Sequence, residues 1–388
     1  MASRKKIIYI GGFDLPDNNA AAQRVLANSK LFKDLGFDVF LIGLTKNPEM
    51  VDKHIDYQGF VCVNLSYPAK VSSWFSYLLF IRKYKQYLID ENPEVIIAYN
   101  FPAISLYNLH QYGIKNNIKV IADCTEWYQP QGSFFFKLIK GADVNLRMKY
   151  VQSKLDGIIV ISTFLYNYYK KKYCKILLLP PLVDTNDDKW KKMKLNIEES
   201  DQIKLIYAGS PGSGNKDRLD IIINSIMKIR RELNINISMD IIGLNKEKYD
   251  TIYKTNLITP SYIHFLGRLQ HLEVVKRLHC SDFQIFIREC NLANIAGFPT
   301  KFVESVTSGV LVLTNYSSDL EQFLKEGING FPLDISSEKA LIESLSKVLL
   351  FSKEQISALK EKGDSTIFDY RKFIPQTKCF IESLFENN

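Results

Sequence analysis

The chain reads as an α/β protein built from two doubly wound parallel-sheet domains, and three observations predict it. Short β-branched runs alternate with longer amphipathic stretches through the first half, which is the pattern of repeated βαβ units. A second series of the same kind starts near residue 203, after a polar stretch at 185–202 rich in Asn, Asp, Lys and Glu. With 388 residues, the chain is also longer than one ordinary core accommodates.

In order, the pattern predicts a strand at 6–11, a helix at 20–35, a strand at 39–44 and an extended run at 60–65. Further strands fall at 95–98, 120–122, 157–161 and 176–179, each followed by polar or proline-containing turns. Together they make a parallel sheet with helices on both faces. After Pro180-Pro181-Leu182-Val183-Asp184, the second series places strands at 205–208, 238–242, 264–266, 283–287 and 310–314. Helices are expected at 319–325 and 338–350, and the apolar-periodic stretch 374–384 is long enough to cross back over the first domain. The expected divisions are a domain at 1–185, a linker at 186–202, a second domain at 203–365 and a returning helix within 366–388.

Composition narrows the classes. Apolar residues make up 46% and charged residues 24%, which is globular composition. The longest apolar run, 74–81, is far short of the ~20 residues that cross a bilayer. The basic start Met1-Ala2-Ser3-Arg4-Lys5-Lys6 leads into an apolar run that Gly11-Gly12 cuts too short for a signal core. Six cysteines without a C-x-x-C pair read as reduced thiols, and a cytoplasmic protein is expected. The net charge of +8 suits an anionic partner such as a nucleotide, phospholipid or nucleic acid, and charge alone does not choose among them; the partners expected are a nucleotide sugar and its acceptor, with no nucleic acid. No Asp-x-Asp follows a strand and the five histidines form no ligand spacing, so neither a metal nor a cofactor is expected.

The most informative stretch is 287–305. Arg288-Glu289 closes a strand, and Gly297-Phe298-Pro299-Thr300-Lys301-Phe302-Val303-Glu304 opens a helix predicted over 299–308. Such a helix start offers free N–H groups and the positive end of its dipole to a phosphate or diphosphate. Thr300 and Glu304 share one face with Lys301 beside them, and a carboxylate placed like Glu304 can accept from the two hydroxyls of a ribose. The plain alternative is a solvated helix with routine capping. A second stretch, 205–217, is a strand followed by a loop containing Gly209, Ser210, Gly212, Gly214 and Lys216. It departs from a dinucleotide fingerprint, because position 217 holds Asp, and from a Walker A loop, which needs Gly-Lys-Ser/Thr.

Together these stretches resemble the retaining glycosyltransferases of GT-B fold, family 4-like, of the bacterial group that builds capsules, lipopolysaccharides and wall polymers. The resemblance runs through Gly11-Gly12, 156–162, 180–184, Phe265-Leu266-Gly267-Arg268, Ser281-Asp282, 298–304 and 308–312. It implies two Rossmann-like domains facing across a cleft, and sugar transfer from a nucleoside diphosphate sugar to a glycan, lipid-linked or protein acceptor. It also implies a basic pair on the donor diphosphate. Lys216 holds the lysine position, while Ser210 stands where the arginine would be, with Arg218 or Arg288 as its replacement. Of the family's two glutamates eight residues apart, Glu304 matches the one on the ribose. The other position is Ala296, and Glu289 is the candidate to reach the donor sugar in its place. Arg268 and Leu269 are placed near the nucleobase, or else form an ordinary exposed strand end.

On the acceptor side the resemblance points to Gly12 and the loop 14–23, although Gly11-Gly12 also fits a plain tight turn. Asp123 and Glu126, after a strand, are candidates for acceptor contact or proton removal, or else helix-capping acids. Two segments mix basic and aromatic residues, 70–87 and 134–149, and suit either a membrane interface or core helices with a basic outer face. A non-catalytic partner of the same fold and a nucleotide-sugar epimerase are the competing readings.

Overall fold

The computed structural model describes residues 5–130, 132–172, 174–191, 201–212, 216–256 and 258–386. Residues 192–200 of the expected linker and 213–215 of the glycine-rich loop lie outside the described residues. The chain divides into two compact units. The first comprises Met1–Asp184, Ala296–Phe298 and Asp369–Asn388; the second comprises Thr185–Ile295 and Pro299–Phe368.

The first unit is a sheet of eight strands: β1 (Lys6–Gly11), β2 (Asp38–Thr45), β3 (His54–Tyr57), β4 (Phe60–Ser66), β5 (Val95–Tyr99), β6 (Lys119–Cys124), β7 (Gly157–Val160) and β8 (Ile176–Leu178). Their order is β3-β4-β2-β1-β5-β6-β7-β8, and all pairs are parallel except β3 against β4. Between the strands run α1 (Ala20–Asp34), α2 (Val71–Leu79), α3 (Arg82–Glu91), α4 (Ala103–Asn116), α5 (Phe134–Leu146) and α6 (Thr163–Lys170). Strands such as Ile7-Ile8-Tyr9-Ile10 and Val95-Ile96-Ile97-Ala98 are buried throughout, because helices cover both faces and both sets of side chains must be apolar. Helix α1 starts where Asn19 accepts from the Ala22 N–H at 2.9 Å, and α6 starts at Ser162, which accepts from Leu165 at 3.3 Å.

The second unit holds β9 (Ile203–Ala208), β10 (Ile237–Ile242), β11 (Ile263–Gly267), β12 (Phe283–Ile285), β13 (Leu311–Thr314) and β14 (Gly330–Pro332). All are parallel in the order β11-β10-β9-β12-β13-β14, which is the doubly wound 3-2-1-4-5-6 arrangement. Its helices are α7 (Leu219–Leu233), α8 (Lys246–Tyr253), α9 (His271–His279), α10 (Leu292–Ala296, whose last residue groups with the first unit), α11 (Thr300–Thr307), α12 (Leu320–Phe323), α13 (Glu338–Leu349) and α14 (Lys353–Lys360). The last helix, α15 (Ile374–Phe385), belongs to the first unit, where Phe380, Ile381 and Leu384 join the core with Ile7, Ile159 and Leu177.

Two strands are absent from the sequence reading. β3 is four residues of alternating polarity at a sheet edge, joined to β4 by a tight turn with positive φ at Gln58 (53°) and Gly59 (76°). β14 contains Gly330 and Pro332, which read as a turn. Gly330 is required because a Cβ there would lie 2.2 Å from the Val312 carbonyl oxygen.

In each unit the strand order reverses beside the first strand, between β1 and β5 and between β9 and β12, and ligands of such sheets gather at the carboxyl ends there. In the first unit Gly11 meets Tyr99 at that point, and a Cβ on Gly11 would sit 2.5 Å from the Tyr99 carbonyl oxygen.

Candidate functional site

In the second unit the chain leaving β9 and the chain leaving β12 are joined at the reversal. Asp217 and Arg288 form an antiparallel bridge, and the Arg218 N–H donates to the Ile287 carbonyl at 2.9 Å. The Asp217 side chain is fully buried in this joint. Its carboxylate accepts from the Arg288 Nε at 3.0 Å, from the Tyr207 hydroxyl at 2.7 Å and from the Lys301 Nζ. The Lys301 ammonium lies over the Tyr207 ring, 4.3 Å from its centroid, and 5.4 Å from that of Phe286. Gly209 makes room for it: a Cβ there would come within 2.9 Å of the lysine side chain.

Two cations thus share one carboxylate, and all three residues are nearly sealed from water, with Arg288 at 5% and Lys301 at 6% exposure. The cluster carries one surplus positive charge, which a buried site tolerates poorly without an anion. Among the described residues the Arg288 Nη1 is buried with no hydrogen-bond partner, so one strong donor stands ready for such an anion. Helix α11 starts beside the cluster without a side-chain cap. Asn315 holds the Arg288 backbone from both sides, accepting from its N–H and donating to its carbonyl, each at 2.8 Å.

The charges set the acid–base behaviour. Burial alone would raise the Asp217 carboxyl, but Lys301 and Arg288 outweigh it and hold it well below the usual carboxylate range. Burial pushes the Lys301 ammonium from 10.5 down to about 8 against the pull of Asp217, with Arg288 adding to the depression. Below pH 8 the lysine is charged and the surplus is present. Above it the lysine is neutral, Asp217 and Arg288 cancel, and the attraction for an anion is lost. Anion affinity is therefore expected to fall as pH rises through about 8. A titration of nucleotide binding from pH 6 to 10 checks this, and Lys301→Met should abolish that alkaline limb.

Other expected donor residues are placed as follows. Glu304, on α11, is partly buried and faces His271 on α9, whose Nε2 lies 3.3 Å from the Glu304 Oε1. Trp190 packs edge-on against that imidazole, with ring centroids 6.0 Å apart. Thr300 is half-buried at the first position of α11. The expected helix 299–308 is shorter at both ends, because Pro299 is extended and caps it; Gly297 and Phe298 precede the helix and group with the first unit. Lys216 is exposed on the loop after β9, and Ser210 is exposed and accepts from the Gly212 N–H at 3.3 Å. Arg268 is exposed at the end of β11, while Leu269 packs on a cluster of Ile206, Ile242 and Leu278.

Glu289, the candidate to reach the donor sugar, stands outside the Lys301 cluster, and one expectation, that for Asp123, is corrected. The Glu289 carboxylate is held at 2.9 Å by Arg218, which Asp220 also grips, and it lines a 430 Å³ cavity with residues of α7 and α13. Asp123, in the first unit, is not open to an acceptor. It is fully buried, bonded by the Arg24 Nε and Nη2 at 2.8–3.2 Å and by the Tyr9 hydroxyl. Arg24 also donates to the carbonyls of Leu179 and Pro180, so the group ties β1, α1 and β6 to the chain leaving β8. Glu126 is half-buried just beyond β6, and Gly12 is exposed beyond β1.

Sequence reasoning missed Asp217, Asn315, Tyr207 and His271. Asp217 was visible only as the residue that spoils a glycine fingerprint.

Parts of the chain are similar to known proteins. Residues 188–365 match the family model described as Glycosyl transferases group 1. The matched stretch falls mostly in the second unit and spans Asp217, Arg288, Lys301 and Glu304. No curated protein sequence matches the chain. Among solved structures, sucrose-phosphate synthase from Thermosynechococcus elongatus is similar at 13% identity and TM-score 0.69, covering 98% of this chain and 99% of that one. A glycosyltransferase from Rickettsia africae is similar at 14% identity and TM-score 0.69, covering 99% and 100%. Anabaena HepE, solved in complex with UDP and glucose, is similar at 12% identity and TM-score 0.65, covering 98% and 100%. The two parallel-sheet units match GT-B glycosyltransferase structures in fold.

Proposed function

We propose that the protein is a retaining glycosyltransferase that moves a sugar from a nucleoside diphosphate sugar to a hydroxyl of a glycan, lipid-linked or protein acceptor in surface-polysaccharide or glycoconjugate synthesis. The carrying observation is the surplus buried charge at Asp217, Arg288 and Lys301, which fits a diphosphate at the strand reversal of the group 1 domain. In this reading Lys301, the Arg288 Nη1 and the N–H groups of α11 meet the charge that develops on the departing diphosphate, without a metal. Lys216, itself exposed, adds a point charge, and Glu304, oriented by His271, accepts from the ribose hydroxyls. Retention at the anomeric carbon rests on the resemblance of 297–304.

Incubation with a panel of nucleoside diphosphate sugars tests the reading: one of them is expected to bind and to hydrolyse slowly without acceptor. No nucleotide binding would leave a non-catalytic partner, and an altered sugar still on its nucleotide would make the protein an epimerase.

A lipid-linked acceptor on the inner face of the cell membrane is supported by the outer faces of α2 and α5. They expose Val71, Phe75, Phe134 and Leu138, the first and third by more than 70%, among basic residues such as Lys70 and Lys137. Among the described residues no helix is long and apolar enough to cross a membrane, so contact would be peripheral. Flotation with anionic liposomes should recover the protein in the lipid fraction; recovery wholly in the aqueous fraction would remove this part.

A further inference from the structure

The first unit contains two buried arginines in opposite situations. Arg24 is bonded to a carboxylate and two carbonyls. Arg147 is equally buried, at 3% exposure, yet among the described residues its guanidinium makes no hydrogen bond or ion pair, and its Nε is sealed from solvent without a partner. The carboxylate one turn earlier, Asp143, is spaced to pair with it. It is taken instead by the Ala103 N–H at 2.8 Å and the Lys140 ammonium at 3.5 Å.

The placement is specific. After α5 the chain widens into a π-helical turn over Arg147–Val151, a distortion that re-aims side chains and recurs at functional sites. The charge of Arg147 opposes the effect of burial at Cys124 on β6, Tyr77 on α2 and Tyr169 on α6, which marks its surroundings. Tyr77 reaches from there toward Gly12, its hydroxyl 4.0 Å from where a Cβ on that glycine would lie. Gln152, 1% exposed, accepts from the Tyr169 hydroxyl at 2.5 Å and faces Cys124. A buried cation without a counter-charge among the described residues thus stands within electrostatic reach of Cys124, the last residue of β6, at the carboxyl edge where ligands of such sheets bind.

We propose that Arg147 is the anion-binding residue of a subsite in the first unit, and that the acceptor carries an oxyanion there, a phosphate ester or a carboxylate. The word acceptor rests on the glycosyl-transfer reading; the anion site does not.

The test is calorimetric titration of the full chain with inorganic pyrophosphate and, in a second arm, with glucuronate. Wild type is expected to show a site that survives Lys301→Met and that Arg147→Gln weakens by at least about tenfold, as loss of a charge-assisted contact does. Binding in the pyrophosphate arm would name a phosphate ester, and binding in the glucuronate arm alone a carboxylate. Arg147→Lys, which keeps the charge, should bind between the two. Without ligand, Arg147→Gln should melt at or above the wild-type temperature, because an uncompensated buried charge is gone. Anion binding unchanged in Arg147→Gln, a wild-type protein whose anion binding is wholly lost in Lys301→Met, or a large fall in the ligand-free melting temperature of Arg147→Gln would each overturn the proposal. Loss of nucleotide binding alone would count against the donor reading and leave this site standing.

Discussion

Lys301→Met is expected to lower kcat/KM for the nucleotide sugar by roughly 10²–10³-fold while the protein stays folded, the effect typical of losing one preorganised donor on a developing oxyanion. The lysine is one of two cations on a single buried carboxylate, so its removal leaves Asp217 and Arg288 as a neutral, bonded pair. Methionine replaces the aliphatic stem against Tyr207 and Phe286 and leaves no charge unpaired. Stability is therefore expected to change by no more than about 1 kcal/mol. The measurements are donor kinetics and urea unfolding on the same preparation. Equal kcat/KM in the variant would mean that the diphosphate lies elsewhere, and a loss of activity in step with a loss of stability would mean that the lysine is structural.

Asp123→Asn is expected to do the reverse. The carboxylate sits fully buried against the equally buried Arg24, and replacing it leaves a guanidinium without its counter-charge between β1, α1 and β6. Breaking such a pair costs about 3–5 kcal/mol. The carbonyls of Leu179 and Pro180 still bond Arg24, which places the expected loss at the lower end of that range. Urea unfolding should show the loss, while kcat per folded molecule stays near wild type. Arg24→Met combined with Asp123→Asn should cost less than the two single changes added, because each removes the same interaction. A drop in kcat with an unchanged unfolding midpoint would restore Asp123 as a reacting group.

The two domains were legible in the sequence because their sheets are covered by helices on both faces. Ile7–Ile10 and Val95–Ala98 must then be apolar without interruption, and such runs stand out between amphipathic stretches. The edge strands β3 and β14 were not, since a strand with one neighbour needs neither length nor a full apolar set, and Gly330 and Pro332 read as a turn. At the site, the helix carrying Lys301 and Glu304 was legible from its own residues, because Pro299 and the spacing of polar positions are local signals.

What the sequence determined by itself was the alternation of strands and helices, the composition shift at 185–202 and the polar face of the helix after residue 299, all properties of neighbours along the chain. The tertiary structure alone decided the partners. Asp217 and Lys301 are 84 positions apart and meet only because β9 and β12 lie side by side at the strand reversal. Asp123 and Arg24 are 99 apart and pair only inside the sheet of the first unit. A carboxylate in sequence is a candidate base, a cap or half of an ion pair, and what separates these is whether a cation and the loss of water reach it, which pairing across the fold controls.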